Sequence, residues 1–300
     1  NSHKVTGAIN HTLYLSDNII TTVEGAGITA YDGAIVEATG NTISGADKGS
    51  GFGIRDSFVV ANNNVIGPIT GYNGLWIYGT SDVSAENNTI QDTGAEAVLI
   101  GEYNFGDSSW QGIPRPTAAR LFFANNQISN NTGVCNSQLY GGEFACPAIH
   151  VFMSSATLYD NTVTNNGGDG MRIKGGIVNA QRNTIEVTGF AVNISHYDDN
   201  AGSKYGSIAY FSGNTYTNAS QVYNITESRV IVQSEFIPDA GGNELYPVQL
   251  SWLSPECPLI LAECLLVPST SLMPPAFMPM ALEVIENSTV FSYADLQNFD

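Results

Sequence analysis

One asparagine recurs along the chain at nearly regular intervals, and the residues around it recur with it. The eight anchors are Asn18, Asn41, Asn64, Asn88, Asn126, Asn161, Asn183 and Asn214. The residue two positions after each anchor is apolar: Ile20, Ile43, Ile66, Ile90, Ile128, Val163, Ile185 and Tyr216. A repeat of roughly 22 residues predicts a solenoid in which each coil packs only on its neighbours.

Apolar residues also stand three and five positions before every anchor, as Ala85 and Val83 do before Asn88. The position between them is variable and includes Ser84 and Glu37. This period of two is typical of a β-strand with one buried face. A further alternating segment, such as 75–77, follows the anchors. The pattern therefore predicts several short strands per coil, and about nine to ten coils in all.

The recurring asparagines occupy the same turn of successive coils. We expect their side chains to stack into an internal ladder, because stacked amides can satisfy buried backbone groups at a corner. Glycines precede the later strand of several coils, at Gly27, Gly53, Gly74 and Gly170. We expect these glycines to occupy corners that need positive φ.

Rows such as Val-Ser-Ala-Glu-Asn-Asn-Thr-Ile (83–90) and Val-Asn-Ala-Gln-Arg-Asn-Thr-Ile (178–185) resemble the pectate-lyase-like superfamily. The resemblance implies an all-β fold, a right-handed parallel β-helix with an internal Asn ladder. Proteins of this superfamily include polysaccharide lyases, hydrolases, epimerases, phage tailspikes and non-enzymatic surface proteins. The architecture alone therefore leaves several functions open.

The repeat pattern defines two regions. Residues 1–237 are predicted to form the parallel β-helix. Residues 238–300 contain eight prolines, which disfavour central strands, and are predicted to form a Pro-rich C-terminal cap or an irregular extension. The pattern weakly resumes near residue 282, where another coil is expected to begin.

The formal net charge of −18 disfavours non-specific binding to nucleic acid or to an anionic membrane. No segment has the length and apolarity of a membrane span. Cys135 with Cys146, and Cys257 with Cys264, are predicted to form two local disulfides. These pairs, and the lack of a leader, lead us to expect a processed or excised part of a larger secreted or cell-surface protein.

Three insertions interrupt the repeat, at about 101–119, 129–147 and 196–206, and all flank the later strand of the coil. Loops at both edges of a sheet form the walls of a groove. The expected groove residues are Arg55, Trp76, Tyr78, His150, Phe152, Arg172, Lys174, Asn193, His196 and Tyr197. Aromatic rings stack on sugars, and Arg and Lys bind hydroxyls and carboxylates, so the predicted partner is a polysaccharide or surface glycan.

A polysaccharide lyase or epimerase acting on a uronate needs a base and a cation beside the carboxylate. His150 or Lys174 is the predicted base, and Arg172 the neutralising cation. The run Met-Arg-Ile-Lys (171–174) looks like an element of the polygalacturonase family, but the paired acids and the Gly-His-Gly element of that family are absent, which disfavours hydrolysis.

Asp198 and Asp199 offer oxygen ligands suited to Ca²⁺, although no EF-hand spacing is present. The alternative to an enzyme is a non-catalytic adhesion, spike or structural module on the same scaffold. A lyase is favoured by the groove and its basic residues, and the module by the net acidity and the incomplete catalytic motif.

Overall fold

A computed structural model describes residues 3–6, 12–21, 24–101, 119–131, 134–135, 144–198, 204–226, 228–233, 235–239 and 242–246. This part of the chain is all-β and contains no helix. The second predicted disulfide, Cys257 with Cys264, and the region 247–300 lie outside the described residues, as does Asp199.

Each coil contributes one strand to each of three parallel sheets, which confirms the predicted all-β parallel β-helix. Sheet 1 consists of His3–Thr6, Ile28–Tyr31, Phe52–Arg55, Leu75–Tyr78, Val98–Ile100, Ile149–Phe152, Met171–Lys174, Phe190–Ser195 and Gln221–Ile225. Sheet 2 consists of Thr12–Ser16, Ile35–Thr39, Phe58–Asn62, Asp82–Glu86, Arg120–Ala124, Ser155–Tyr159, Ile177–Gln181, Ile208–Ser212 and Arg229–Gln233. Sheet 3 consists of Ile19–Ile20, Thr42–Ile43, Val65–Ile66, Thr89–Gln91, Gln127–Ser129, Thr162–Asn166, Thr184–Val187, Thr215–Thr217, Glu235–Asp239 and Gly242–Tyr246.

The described part of the solenoid has three additions to these parallel strands. Sheet 3 ends in an antiparallel pair, Glu235–Asp239 with Gly242–Tyr246. A two-stranded hairpin, Val134–Cys135 with Phe144–Ala145, lies in the second insertion. Another, Tyr197–Asp198 with Lys204–Tyr205, lies in the third. Both hairpins belong to connections that begin or end at a sheet 1 strand.

The core lies between the three sheets and is filled by inward side chains of their strands, from Leu15 to Val230 among the described residues. Ile54, Val59 and Ile66, which come from the three sheets of one coil, are all fully buried. Equivalent residues of successive coils are paired in register, as Val59 is with Val83. The apolar columns of the sequence therefore become continuous apolar stacks, and their burial is the main favourable term in the stability of the solenoid.

The Asn ladder is confirmed along all eight anchors. Asn64 donates from both its backbone N–H and its Nδ2 to Oδ1 of Asn88, at 2.9 and 3.0 Å. Asn88 Nδ2 donates in turn to the Ala61 carbonyl at 2.8 Å and to Asn126 Oδ1 at 2.9 Å. Each buried amide therefore satisfies backbone and side-chain groups of two neighbouring coils.

The residue immediately before each ladder Asn adopts the left-handed conformation with positive φ. These residues are Asp17, Gly40, Asn63, Asn87, Asn125, Asp160, Arg182 and Gly213. Seven of the eight are Asn, Asp or Gly, residue types that tolerate this region. Arg182 is the exception in residue type, and its guanidinium binds the carboxylate of Asp160 in the preceding coil at 2.7 and 2.8 Å.

The expectation that Gly27, Gly53, Gly74 and Gly170 have positive φ is wrong, since none of them is among the positive-φ residues of the described chain. Gly74 shows why glycine is needed at such a position. A Cβ atom there would lie 2.5 Å from Ile90 Cγ2 and 2.6 Å from the Ala97 carbonyl oxygen. The requirement is close packing at the corner rather than an unusual backbone conformation.

We predict that Asn88→Ala lowers the free energy of unfolding by about 3 to 5 kcal/mol, because it leaves several buried polar groups of the ladder without partners. Urea unfolding measures this. Asn87→Gly is the matched control, since Asn87 is exposed and has positive φ, and we expect it to change stability by less than about 1 kcal/mol. Equal losses in the two variants would show that the ladder does not carry the stability assigned to it.

Candidate functional site

All three long connections of the β-helix begin or end at a strand of sheet 1. They run from Ile100 to Arg120, from Ser129 to Ile149 and from Ser195 to Ile208. Two columns of outward-facing residues cross the outer surface of sheet 1 in register. The first column is Thr29, Gly53, Trp76, Leu99, His150, Arg172, Asn193 and Asn224, and the second contains Tyr31, Arg55, Tyr78, Phe152, Lys174 and Ser195.

The centre of this surface is covered, whereas the sequence predicts an open groove along its whole length. Leu99, His150 and Phe152 are only 2%, 1% and 3% exposed, although all three point away from the solenoid core. One covering contact comes from the third insertion, where the Tyr197 ring packs edge-to-face on Phe152 at 5.0 Å. Insertion lengths can be read from the sequence, but the way in which the insertions fold over the sheet cannot.

His150 forms a buried pair with Glu96. Its Nδ1 lies 3.1 Å from Glu96 Oε1, and both side chains are 1% exposed. Glu96 Oε2 accepts a hydrogen bond from Asn73 Nδ2 at 2.9 Å. The carboxylate is thus held from both sides, by an amide of the preceding coil and by an imidazole of the following one.

Burial lowers the pKa of His150 from its usual value, and the nearby charges of Arg172 and Lys174 lower it further. The hydrogen bond and the negative charge of Glu96 act in the opposite direction but do not outweigh the burial. The imidazole is therefore neutral at neutral pH, and it lies away from solvent.

The sequence interpretation missed Glu96 and Asn73, although a signal for them exists. Each stands two residues before the first inward residue of a sheet 1 strand, as Ser50 and Asp169 also do. All four side chains are buried. Polar residues therefore recur at the turn that leads into sheet 1, and an acid in that column predicts a buried carboxylate beside the outer surface.

Asp169 organises the second half of the surface. Its Oδ2 accepts hydrogen bonds from Arg172 Nη2 at 2.8 Å and from Asn193 Nδ2 at 3.0 Å, while Oδ1 accepts from the Phe190 N–H at 3.1 Å. Arg172 and Asn193 stay partly exposed. The partly exposed Lys174 places its Nζ 5.8 Å from the centre of the Tyr197 ring.

The first half of the surface carries an aromatic cluster. Trp76 and Tyr78 stack with their ring centres 4.7 Å apart, and Arg55 lies 5.0 Å from the centre of the Tyr31 ring. A hydrogen bond from Arg55 to the Asp32 carboxylate raises the pKa of the guanidinium above its usual value. Tyr31, Arg55 and Trp76 are partly exposed, whereas Tyr78 is buried.

The remaining predicted site residues belong to the insertions. His196 and Tyr197 are partly exposed at the start of the third insertion. The side chain of Asp198 and the whole of Asp199 lie outside the described residues, so the Ca²⁺ site stays a prediction. The Cys135–Cys146 disulfide is formed and buried.

Comparisons with known proteins identify no family. No family of known proteins and no curated protein matches the chain. Among solved structures the chain is similar to a protein described as "Geobacillus virus E2 - ORF18", with 13% sequence identity and a TM-score of 0.37. The match covers 79% of this chain and 52% of that chain, so this chain spans about half its length. Membership of the pectate-lyase-like superfamily stays a prediction.

The described residues include no helix long and apolar enough to cross a membrane.

The buried imidazole makes stability depend on pH. Because the folded-state pKa of His150 lies below its unfolded value of about 6.5, the unfolded state binds a proton that the folded state rejects. The contribution of this group to stability is therefore present above about pH 6.5 and is lost as the pH falls towards the folded-state pKa.

We predict that His150→Gln removes this contribution, which has a maximum slope of about 1.4 kcal/mol per pH unit. Urea unfolding of the wild type and the variant between about pH 7.5 and 5.5 measures it. The stability advantage of the wild type should shrink towards the acidic end. A constant or widening difference would mean that His150 is not buried in its neutral form.

Proposed function

We propose that the chain is an extracellular glycan-binding β-helix that holds a uronate-containing polysaccharide across the outer surface of sheet 1. The observation that carries this proposal is the concentration of partly exposed aromatic and cationic side chains there, in a protein of net charge −18. Three of the ten basic residues, Arg55, Arg172 and Lys174, lie in its two outward columns. The corresponding outward column of sheet 3 contains mainly threonine, including Thr89, Thr162 and Thr184.

The accessible residues form two groups separated by the covered centre. Tyr31, Arg55 and Trp76 form the first group, and Arg172, Lys174 and Asn193 the second. The strand of Trp76 is three strands away from the strand of Arg172, which corresponds to about 14 Å at the usual strand spacing of about 4.8 Å. A ligand that reaches both groups must be an extended chain of several sugars rather than a single sugar.

The side chains of the two groups suit the apolar ring faces and the carboxylates of such a ligand. The Trp76 ring can stack on the apolar face of a pyranose, and partly exposed Arg and Lys side chains can bind uronate carboxylates. Asp169 fixes the orientation of Arg172 and Asn193, which reduces the conformational entropy lost when they bind a ligand.

We predict that Lys174→Ala and Trp76→Ala each weaken binding of polygalacturonate or alginate oligosaccharides about tenfold, corresponding to about 1.4 kcal/mol. Calorimetry at low ionic strength measures this. The matched controls are Lys48→Ala and Tyr14→Ala, which remove an exposed cation and an exposed aromatic ring outside the two outward columns of sheet 1. Affinity should rise with oligosaccharide length until both groups are reached.

Losses of the same size in the control variants, or binding that does not discriminate uronate chains from neutral glucans, would contradict the proposed surface. Salt should weaken the Lys174 contribution more than the Trp76 contribution, because the first is electrostatic and the second is not.

A second candidate is a polysaccharide lyase or epimerase on the same surface. Arg172 and Lys174 favour it, since they lie two residues apart on one strand, on the same side of the sheet. Arg172 would neutralise the uronate carboxylate, and Lys174 would accept the neighbouring proton. In a lyase the carbanion then expels the glycosidic oxygen, which takes up a proton from water, and a carbon–carbon double bond is left in the uronate. The burial of His150 weighs against its direct contact with a substrate.

We predict that, if the lyase candidate holds, ultraviolet absorbance of unsaturated uronate accumulates with pectate or alginate and is lost in Arg172→Ala/Lys174→Ala. The assay is run with and without Ca²⁺, and deuterium exchange at the same carbon tests for an epimerase. Binding without either product identifies a non-catalytic adhesion, spike or structural module, the alternative that the burial of His150 favours.

A further inference from the structure

A buried group of metal-binding side-chain types lies beside the covered centre of sheet 1. A carboxylate oxygen of Glu96 and the Sγ atoms of Cys135 and Cys146 all lie within 4.8 Å of one another. His150 Nδ1 lies 3.1 Å from Glu96 Oε1. All four residues are buried.

Three different parts of the fold bring these residues together. Glu96 lies in the turn that leads into the strand Val98–Ile100, and His150 lies on the next strand of sheet 1, paired in register with Leu99. Cys135 ends one strand of the hairpin in the second insertion, and Cys146 directly follows the other strand. The hairpin thus places both sulfur atoms beside the Glu96 carboxylate.

Two sulfur atoms, a carboxylate oxygen and an imidazole nitrogen form a donor set of the kind that binds Zn²⁺. In the disulfide form the sulfur atoms are bonded to each other and do not act as thiolates. We propose that reduction of the Cys135–Cys146 disulfide converts this group into a site for a thiophilic divalent cation, Zn²⁺ in particular, bound by Cys135, Cys146, Glu96 and His150.

The conversion balances as a two-electron step. A dithiol or phosphine reductant supplies two electrons, the S–S bond breaks, and two protons are taken up to give two thiols. Binding of the cation then forms two S–metal bonds and releases both protons, while the carboxylate and the neutral imidazole bind through their lone pairs.

The spacing of three of the four donor atoms suits this site. Zn–S bonds of about 2.3 Å and Zn–N or Zn–O bonds of about 2.0 to 2.1 Å place tetrahedral ligand atoms about 3.3 to 3.8 Å apart. The donors Glu96, Cys135 and Cys146 already lie within 4.8 Å of one another. Once the S–S bond opens, rotation about the Cα–Cβ bonds of the two cysteines can separate the sulfur atoms.

The surroundings support a bound cation. Asn73 Nδ2 donates to Glu96 Oε2, which leaves Oε1 directed towards His150 and fixes the orientation of the carboxylate. Removing a residue that hydrogen-bonds a metal ligand typically weakens metal binding by roughly 10- to 100-fold. Two thiolates and a carboxylate exceed the charge of a divalent cation by about one unit. Arg172 lies opposite His150 in the register of sheet 1, on the neighbouring strand.

The test uses the full chain with Cys257→Ser and Cys264→Ser, so that Cys135 and Cys146 are its only thiols. The chain is reduced with a phosphine under argon, the phosphine is removed, and Co²⁺ is added as a spectroscopic probe. We expect one Co²⁺ per chain, a thiolate-to-cobalt charge-transfer band, and its displacement by Zn²⁺. The oxidised chain should show no such band.

Variants locate the site. Glu96→Gln and His150→Ala should each weaken Co²⁺ binding at least tenfold, and Asn73→Ala, which keeps all four ligands, should weaken it about 10- to 100-fold. Circular dichroism of each reduced, metal-free variant shows whether it is folded, and Asn73→Ala decides the outcome if the other two are not. Absence of the band in the reduced chain, or binding unchanged by all three substitutions, would overturn the proposal.

Discussion

The fold depends on the hydrogen bonds that the stacked asparagines make at one corner of every coil. A tight corner in a solenoid buries backbone N–H and C=O groups that no strand can pair, and each unpaired group costs free energy. Asn64, Asn88 and Asn126 show the solution, since each amide accepts from the coil before it and donates to the coil after it and to a backbone carbonyl. Because the same corner repeats, successive coils keep the same register. Every outward residue of sheet 1 is therefore positioned by hydrogen bonds on the far side of the coil.

The same constraint explains which part of the structure can be predicted from the sequence. A column such as Val59 and Val83 is predictable because each row repeats the same environment, so the apolar pattern recurs at a fixed distance from the ladder. Aligning the rows on the ladder Asn is enough to predict the parallel strands, the position of the corner and the direction of the sheet 1 side chains. The glycines were misinterpreted because a repeated Gly indicates either positive φ or close packing. At Gly74 the approach of Ile90 decides for packing.

The insertions break the repeat, and sequence reasoning fails where they do. His150 occupies an outward position by register, and its strand neighbours predict an accessible side chain. It is nevertheless buried, because contacts beyond the sheet determine whether an outward residue reaches solvent. Phe152 illustrates the same point through its contact with Tyr197. Arg172 and Lys174 lie opposite His150 and Phe152 on the neighbouring strand, and both side chains stay partly exposed, as the same columns predict.

The polar column at the turn into sheet 1 links the architecture to the chemistry of the surface. Ser50, Asn73, Glu96 and Asp169 occupy equivalent positions but bear different charges. A buried carboxylate is costly unless hydrogen bonds or opposite charges compensate it. Asp169 has Arg172, Asn193 and a backbone N–H as partners, whereas Glu96 has Asn73 and a neutral His150. The two acids are thus held by different kinds of donor. Asp169 orients side chains that stay partly exposed, which suits the binding of an external ligand. Glu96 is buried beside the sulfur atoms of Cys135 and Cys146, which are ligand types that suit a metal ion.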